Sequence, residues 1–590
     1  MEEKSISQRL QKVIAGAVVD SGAELGRQEI KLEHPELSEH GDYSTNVALA
    51  MNGGRLLAEK IAGTVKPDEV IAKVEVAGPG FVNIWLQKEY LVKELGRVIT
   101  QGQDYGKGLA ISGKKVMIEF TDPNPFKEFH IGHVYTNTVG EALAKIIEYQ
   151  GADVWRVNYQ GDVGLHVAKS VWGMEKLSDE MPKESASLGE KAKFMGRAYA
   201  AGAKTYEEDE QKKMEIEKLN KQIYEKDAAV MKLYALGKKW SLDYFEAMYA
   251  RLGTSFRRYY FESEAGERGL KLVRDNMGHV FAESDGAVVF PGESYGLHTR
   301  VFINSQGLPT YEAKELGLAL TKFDDFPYDL SLIVTGNEIR EYFKVLLKAM
   351  EMVAPELAAK TRHIPHGMVR LPSGKMSSRT GEIITGEWLL DKAADGARRI
   401  VDESGKVRVE EKDKEGLAKN VGLAAIKYAF LKSGIGENIE FDFDKSLSFE
   451  GNSGPYLQYT YARTQSVLAK AVGITRGSYG LFTGNLHPEE EVIIRWVYRF
   501  GEVIEESASR YAPNLLCNFL FELAQRYNTF YNKHSILNPD ITPPDPPLSV
   551  RGGRGSYEEI RRFRLLLTAA TGQVLKNGLE LLGIEAPERM

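Results

Sequence analysis

The run Val116-Met117-Ile118-Glu119-Phe120, continued by Thr121-Asp122-Pro123-Asn124-Pro125-Phe126-Lys127-Glu128-Phe129-His130-Ile131-Gly132-His133, decides the fold. Its first five residues read as a buried strand, because four of them are apolar. Glu119 is the exception: a carboxylate there is costly unless a cation meets it. A loop with two prolines follows, then a helix from Gly132 to about Tyr149 with Val134, Val139, Leu143, Ile146 and Ile147 near one face. Val154-Trp155-Arg156-Val157-Asn158 reads as a second strand. Strand, helix and strand on short links specify a parallel sheet, and ligands bind such sheets at the carboxyl ends of the strands.

Outward from this unit, residues 1 to about 110 read as a separate α+β module. Helices are expected from Ile6 to about Leu25 and from Thr45 to about Val65, and strands over Ile71–Val76 and Phe81–Leu86 around the turn Gly78-Pro79-Gly80. From about Leu165 to Arg258 the pattern is long, helical and dense in Lys/Glu pairs. It reads as an insertion, because strand-like segments resume at Ala287–Phe290, Val301–Ile303 and Leu330–Val334. Glu338 to Met352 is an amphipathic helix. From about Gly386 the chain is mainly helical; Leu516, Phe519, Leu520, Leu523, Tyr527, Phe530 and Tyr531 step by three and four along one stripe. Pro539 to Pro547 must be loop, and Ser556 with Glu559 is a capping box that restarts a helix.

A chain of 590 residues holds roughly three to five domains. With 43% hydrophobic and 27% charged residues it is neither disordered nor collagen-like. Cys517 is the only cysteine, so an intrachain disulfide and a Cys-based zinc site are excluded. One thiol in so long a chain fits a reducing, cytoplasmic setting. Met1-Glu2-Glu3-Lys4-Ser5 does not read as a signal peptide, and no apolar run approaches the ~20 residues that cross a bilayer. The net charge of −7 describes no general polyanion binder, but it averages over domains and leaves room for a local basic groove.

His130-Ile131-Gly132-His133 falls between the strand and the helix N-terminus, where unpaired N–H groups and about half a positive charge suit a phosphate. Two imidazoles around a glycine can donate to phosphoryl oxygens in a transition state. Far downstream, Ser373-Gly374-Lys375-Met376-Ser377-Ser378-Arg379-Thr380-Gly381 is a glycine-bounded, basic loop of the kind that closes over a triphosphate.

These two motifs together resemble the paired signatures of class I aminoacyl-tRNA synthetases, and the finer match is to the arginyl family. Glu119–Asn124 with Pro125 and His130–His133 is similar to that family's signature segment. Gly161-Asp162-x-Gly164, Tyr311-Glu312-Ala313-Lys314, Gly454-Pro455-Tyr456-x-Gln458-Tyr459 and the ending Leu582 to Met590 resemble further motifs in the same order. Gly41-Asp42-Tyr43 and Gly80-Phe81-Val82-Asn83 are similar to its N-terminal module. The resemblance spans essentially the whole chain.

It implies a multidomain α/β protein: an N-terminal tRNA-binding α+β module for the D-loop and elbow (1–110), a Rossmann-like catalytic domain (111–385) with a helical insertion (about 165–260), a helical connecting region (386–450) and an all-α anticodon-binding domain (451–590). The implied reaction joins L-arginine to tRNA(Arg) through an arginyl-adenylate, releasing AMP and diphosphate. ATP with Mg2+ would enter as a substrate, with no dedicated metal site, and the enzyme would act as a monomer away from membranes.

Implied catalytic groups are His130, His133 and Lys375, with Lys127 compensating for Ser378, which stands where the class pattern has a second lysine. ATP would meet His130, Gly132, His133, Lys375, Met376 and Ser377. A guanidinium needs forked anionic or carbonyl acceptors, and the resemblance carries over Glu119, Asn124, Tyr311 and Glu315 as arginine contacts. Glu315 stands where the family usually has aspartate, and Ile339 where it usually has glutamine. For tRNA the candidates are Phe81, Asn83, Tyr459, Tyr527, Asn528, Tyr531 and Met590, outward residues of the 515–531 stripe touching RNA and the rest forming core. A different nucleotidyl transferase and a non-catalytic RNA-binding paralogue are the competing readings.

Overall fold

The computed structural model describes residues 5–26, 29–372, 384–403, 409–471, 486–538 and 557–590. Its centre is a five-stranded, all-parallel sheet in the order Thr361–His366, Leu330–Gly336, Lys115–Glu119, Asp153–Gln160, Arg258–Phe261. The central strand is Lys115–Glu119, and its helix, Ile131–Tyr149, returns the chain to Asp153–Gln160 as the apolar spacing requires. Two strands of this sheet were not legible as strands. Arg258–Phe261 is short and half polar. Thr361–His366 contains Pro365, which an edge strand tolerates because its N–H need not join a ladder.

The insertion is a helical bundle of Leu165–Lys176, Leu188–Glu208, Glu210–Tyr224 and Ala228–Leu252 with its own core around Phe126, Phe194 and Trp240. It ends at Leu252, so the expected boundary near 260 overruns into the sheet's edge strand. Ala282–Ser284, Ala287–Phe290 and Arg300–Ile303 form a separate antiparallel sheet rather than joining the parallel one.

The N-terminal module is a three-stranded antiparallel sheet, Tyr43–Thr45, Phe81–Leu86 and Ile71–Ala77, covered by helices. The first helix stops at Asp20, before the positive φ of Gly22. The helix expected over Thr45 to Val65 is broken into Val47–Ala50 and Gly54–Thr64, because Asn52 and Gly54 take φ of 57° and 52°. The module docks on the C-terminal helices. Asp42, fully buried, is ion-paired with Arg495 and accepts the Leu86 N–H at 2.8 Å. Glu502 accepts the Tyr43 hydroxyl at 2.6 Å and meets His34 Nε2 at 2.9 Å.

Gly386–Glu403 and Glu411–Leu431 connect the sheet to the C-terminal helices Gly454–Ala469, Pro488–Val497, Phe500–Ser509, Pro513–Lys533 and Tyr557–Leu581. The expected loop over Pro539 to Pro547 and the capping residue Ser556 lie outside the described residues. Among the described residues no helix is long and apolar enough to cross a membrane.

Candidate active site

The carboxyl ends of the central strand and of Leu330–Gly336 open on a cavity of about 570 Å3. These strands are neighbours whose crossovers leave in opposite directions, the switch point at which a parallel sheet forms its cleft. Thr121, Asp122, Asn124, His130, Gly132 and His133 line one side; Thr335, Gly336, Glu338, Ile339 and His366 line the other.

His130 is the N-cap of Ile131–Tyr149. Its backbone N–H donates to His133 Nδ1 at 3.1 Å, and the two rings stack 3.7 Å apart at 17°. A neutral His133 that accepts at Nδ1 carries its proton on Nε2, so it offers a donor to a ligand. Burial, reinforced by the charge of Lys127, lowers the His130 pKa to about 4. Burial, His130 and Lys127 hold His133 well below the ordinary imidazole value. Both rings are therefore neutral near pH 7. Lys127 is itself lowered by burial, and its Nζ lies 5.6 Å from the Tyr199 ring centre.

The loop before the histidines is held under strain. Thr121, Asp122 and Phe126 take φ of 79°, 45° and 69°, each costing roughly 1–3 kcal/mol outside glycine. Neighbouring groups enforce this. Asn137 Nδ2 donates to Thr121 Oγ1 at 3.0 Å, the Tyr159 N–H to Asp122 Oδ1 at 2.8 Å, and the Phe126 N–H to Ser241 Oγ at 2.9 Å. Asn124 Oδ1 accepts the Gly161 N–H at 3.0 Å, and a Cβ at Gly161 would lie 2.4 Å from that oxygen. Asp162, fully buried, accepts from Tyr234, Lys238 and Ser263, so the Gly-Asp-x-Gly turn ties the insertion to the sheet edge.

Glu119 meets a cation within the protein itself: its Oε2 pairs with Lys322 Nζ at 2.7 Å, and each side chain is only 2% exposed. The lysine answers the cost of a buried carboxylate from inside the protein. Negative charge remains in excess around it. Burial and then Glu119 push Glu315 well above the ordinary carboxylate range, and the same two causes push up Asp122. Tyr311 begins the helix Tyr311–Asp325, is 53% exposed, and has Lys314 Nζ 5.2 Å from its ring. Lys314 pairs with buried Glu262 at 2.6 Å. Glu119, Tyr311 and Glu315 thus do not line the histidine cavity; Asn124 does. Lys375, Met376 and Ser377 lie outside the described residues.

Among the tRNA candidates, Phe81 (39% exposed) and Tyr531 (38%) are at the surface, and Tyr459 and Asn528 are half-buried. Three expectations are corrected. Tyr527 is fully buried, so its ring is core and cannot stack on a base. The Asn83 side chain is 4% exposed and accepts the Ser44 hydroxyl at 2.7 Å. Met590 packs into a cluster with Val401, Val421 and Ala462.

Sequence reasoning missed Arg463. Its guanidinium stacks 4.9 Å from the Tyr459 ring and 4.8 Å from the Tyr531 ring and donates to Asn528 Oδ1, so these four form one patch. Its position one turn after Tyr459 was the available signal. Lys322 gave none, lying 203 residues from its partner. Among the described residues no cluster of three or more His, Cys, Asp or Glu could hold a metal ion.

Three family models match the chain: "tRNA synthetases class I (R), catalytic domain" over residues 94–443, "DALR anticodon binding domain" over 457–590 and "Arginyl tRNA synthetase N terminal domain" over 3–86. The arginine–tRNA ligase of Flavobacterium psychrophilum is 30% identical over 95% of this chain and 92% of its own length. That of Treponema denticola is 30% identical over 98% and 99%. Arginyl-tRNA synthetase from Thermus thermophilus shares the fold with a TM-score of 0.79 at 24% identity, covering 99% of this chain and 100% of that one. The Plasmodium falciparum structure also reaches 0.79, at 17% identity over 100% of both chains.

Proposed function

The chain belongs to the class I arginyl-tRNA synthetases, which attach arginine to tRNA through an adenylate, and from that premise we propose how its residues divide the work. The arginine carboxylate attacks the α-phosphate of ATP, brought as its Mg2+ complex; diphosphate leaves. A hydroxyl of the terminal tRNA ribose then displaces AMP. No side chain need act as nucleophile, so the protein positions the reactants and stabilises charge.

The observation that carries this reading is the stacked, neutral His130–His133 pair lining a cavity at the sheet's switch point, beside a buried patch of excess negative charge. Imidazole N–H groups that are already neutral can donate to phosphoryl oxygens without first losing a proton. Gly132 lets the triphosphate approach the backbone. Lys127 supplies positive charge, and Lys375, with Met376 and Ser377, is assigned to the triphosphate by the family motif alone.

Glu315, Tyr311 and the remaining oxygen of Glu119 receive the guanidinium, and Asn124 orients the other end of the amino acid. Phe81 and Asn83 mark the module that receives the D-loop side of the tRNA, with Phe81 the exposed contact. Tyr459, Arg463, Asn528 and Tyr531 receive anticodon bases by stacking and hydrogen bonds, and Met590 closes the packing beneath them. We divide the chain accordingly at 1–110, 111–385, 386–450 and 451–590, with the helical insertion ending at Leu252. All of the site comes from one chain, and it works as a monomer in the cytoplasm.

The test is charging of tRNA(Arg) with each amino acid in turn. Arginine alone should be attached, and attachment of another amino acid at a comparable rate would overturn the assignment.

A further inference from the structure

We infer that Gly386 is a positioning residue of the charging reaction: the absence of a side chain there sets where the His130 and His133 rings stand. This rests on the proposed work of the histidine pair at the phosphates and extends it to what holds the pair in place.

Gly386 is buried at the start of the helix Gly386–Glu403, and its N–H donates to the Phe129 carbonyl at 2.7 Å. On the other side of His130, the Ile131 N–H donates to the Ile384 carbonyl at 3.0 Å, so Thr385 pairs with His130 as an antiparallel bridge. The peptide groups flanking His130 are therefore fixed, and with them the His130 N–H that donates to His133 Nδ1. The φ of Gly386 is not left-handed, so space rather than backbone freedom calls for glycine. A Cβ there would lie 2.8 Å from Phe129 Cδ1, 3.0 Å from Val134 Cγ2 and 3.3 Å from Met248 Cε. The methionine end can swing aside. The valine is stiff at χ1, and the phenylalanine ring is fully buried.

The Phe129 ring also touches His133: the two ring centres are 5.1 Å apart at 45°. Its other aromatic neighbours, Phe245 at 6.1 Å and Tyr249 at 6.2 Å, are buried on the insertion's last helix, Ala228–Leu252, and leave it no room to retreat. A methyl at position 386 would therefore act through the Phe129 ring on His133, or through the Phe129 carbonyl on the His130 backbone. Misplacing a reacting group by about 1 Å can cost on the order of 10²-fold in rate.

The experiment measures single-turnover charging, the KM values of ATP and arginine and the tRNA dissociation constant for Gly386→Ala, Phe129→Leu and the double variant. Gly386→Ala should slow charging about 10- to 100-fold, while both KM values and the dissociation constant stay within about twofold. Phe129→Leu should also slow charging, because it takes from His133 the ring it rests on. Together the two should compensate, the shorter side chain making room for the methyl, and the double variant should outpace each single one by about fivefold or more. An unchanged rate in Gly386→Ala, equal losses of rate and tRNA binding, or additive losses in the double variant would overturn the inference. Should Gly386→Ala not fold, the double variant is set against Phe129→Leu alone; it must fold and charge faster, and a double variant that does not overturns the inference. His133→Ala is the separate arm: charging at the parent rate there would bring down the reading of the histidine pair itself.

Discussion

Glu119 Oε2 and Lys322 Nζ lie 2.7 Å apart, each side chain 2% exposed, one on the central strand and the other on a helix 203 residues later in sequence. The pair lets a carboxylate exist in the central strand without substrate, and it leaves Asp122 and Glu315 as the charge a cation would neutralise.

Lys322→Met should therefore destabilise the protein by about 3–5 kcal/mol, because it strands a buried carboxylate. Adding Glu119→Gln should recover much of that loss. Urea unfolding midpoints of the single and double variants check this; an additive double variant would mean that the two side chains do not depend on each other.

The central strand and its helix were legible because their apolar residues follow the periods of buried strand and amphipathic helix. The edge strands were not, since Arg258–Phe261 and Thr361–His366 carry polar residues and a proline that only an edge position allows. Asn52-Gly53-Gly54 carried a breaker signal that the single helix expected over Thr45 to Val65 passed over. His130 and His133 were readable from local spacing, whereas the Lys322 partner and the Arg463 patch depend on contacts across the fold. The burial of Tyr527 was implied by its place in the apolar stripe; its aromatic character alone pointed the wrong way.

His133→Ala should lower the charging rate by roughly 10²–10³, the cost of removing a preorganised transition-state donor. Its tRNA dissociation constant should hardly change. Single-turnover charging set beside filter binding separates the two, and equal losses would contradict a role at the phosphates.

Acid should destabilise the enzyme in a definite window. His130 and His166 are lowered to about 4 and about 3, mainly by burial. The unfolded chain therefore binds more protons than the folded one from about pH 6.5 down to those values, and stability falls as pH falls through that range. His130→Asn removes one such group. The difference between its urea midpoints at pH 7 and pH 5 should be smaller than in the parent chain; an unchanged difference would show that His130 is not held neutral.

On the tRNA side, Arg463→Ala and Tyr531→Ala should each raise the tRNA KM about 5- to 150-fold, the range of one lost stacking contact. The arginine and ATP KM values should stay fixed. Tyr527→Phe should leave the tRNA KM within about twofold, because its ring is inside the helical core. Steady-state kinetics with varied tRNA decides, and a large effect at Tyr527 would argue that this helix opens to bind RNA.

Arg495→Met should loosen the N-terminal module, since Arg495 is the cation paired with buried Asp42 at its junction with the C-terminal helices. Weaker tRNA binding is expected, with KM values for the small substrates unchanged and faster proteolysis between the module and the sheet domain. Unaltered tRNA affinity would detach this junction from tRNA binding.

The most direct measurement sets arginine against citrulline, which replaces the guanidinium by a neutral urea of nearly the same shape, as substrates for charging tRNA(Arg). A pocket whose buried carboxylates await a planar cation should favour arginine in kcat/KM by a factor on the order of 10⁴. Similar values for the two would mean that Glu119 and Glu315 do not read the charge, and the account would fail at its centre.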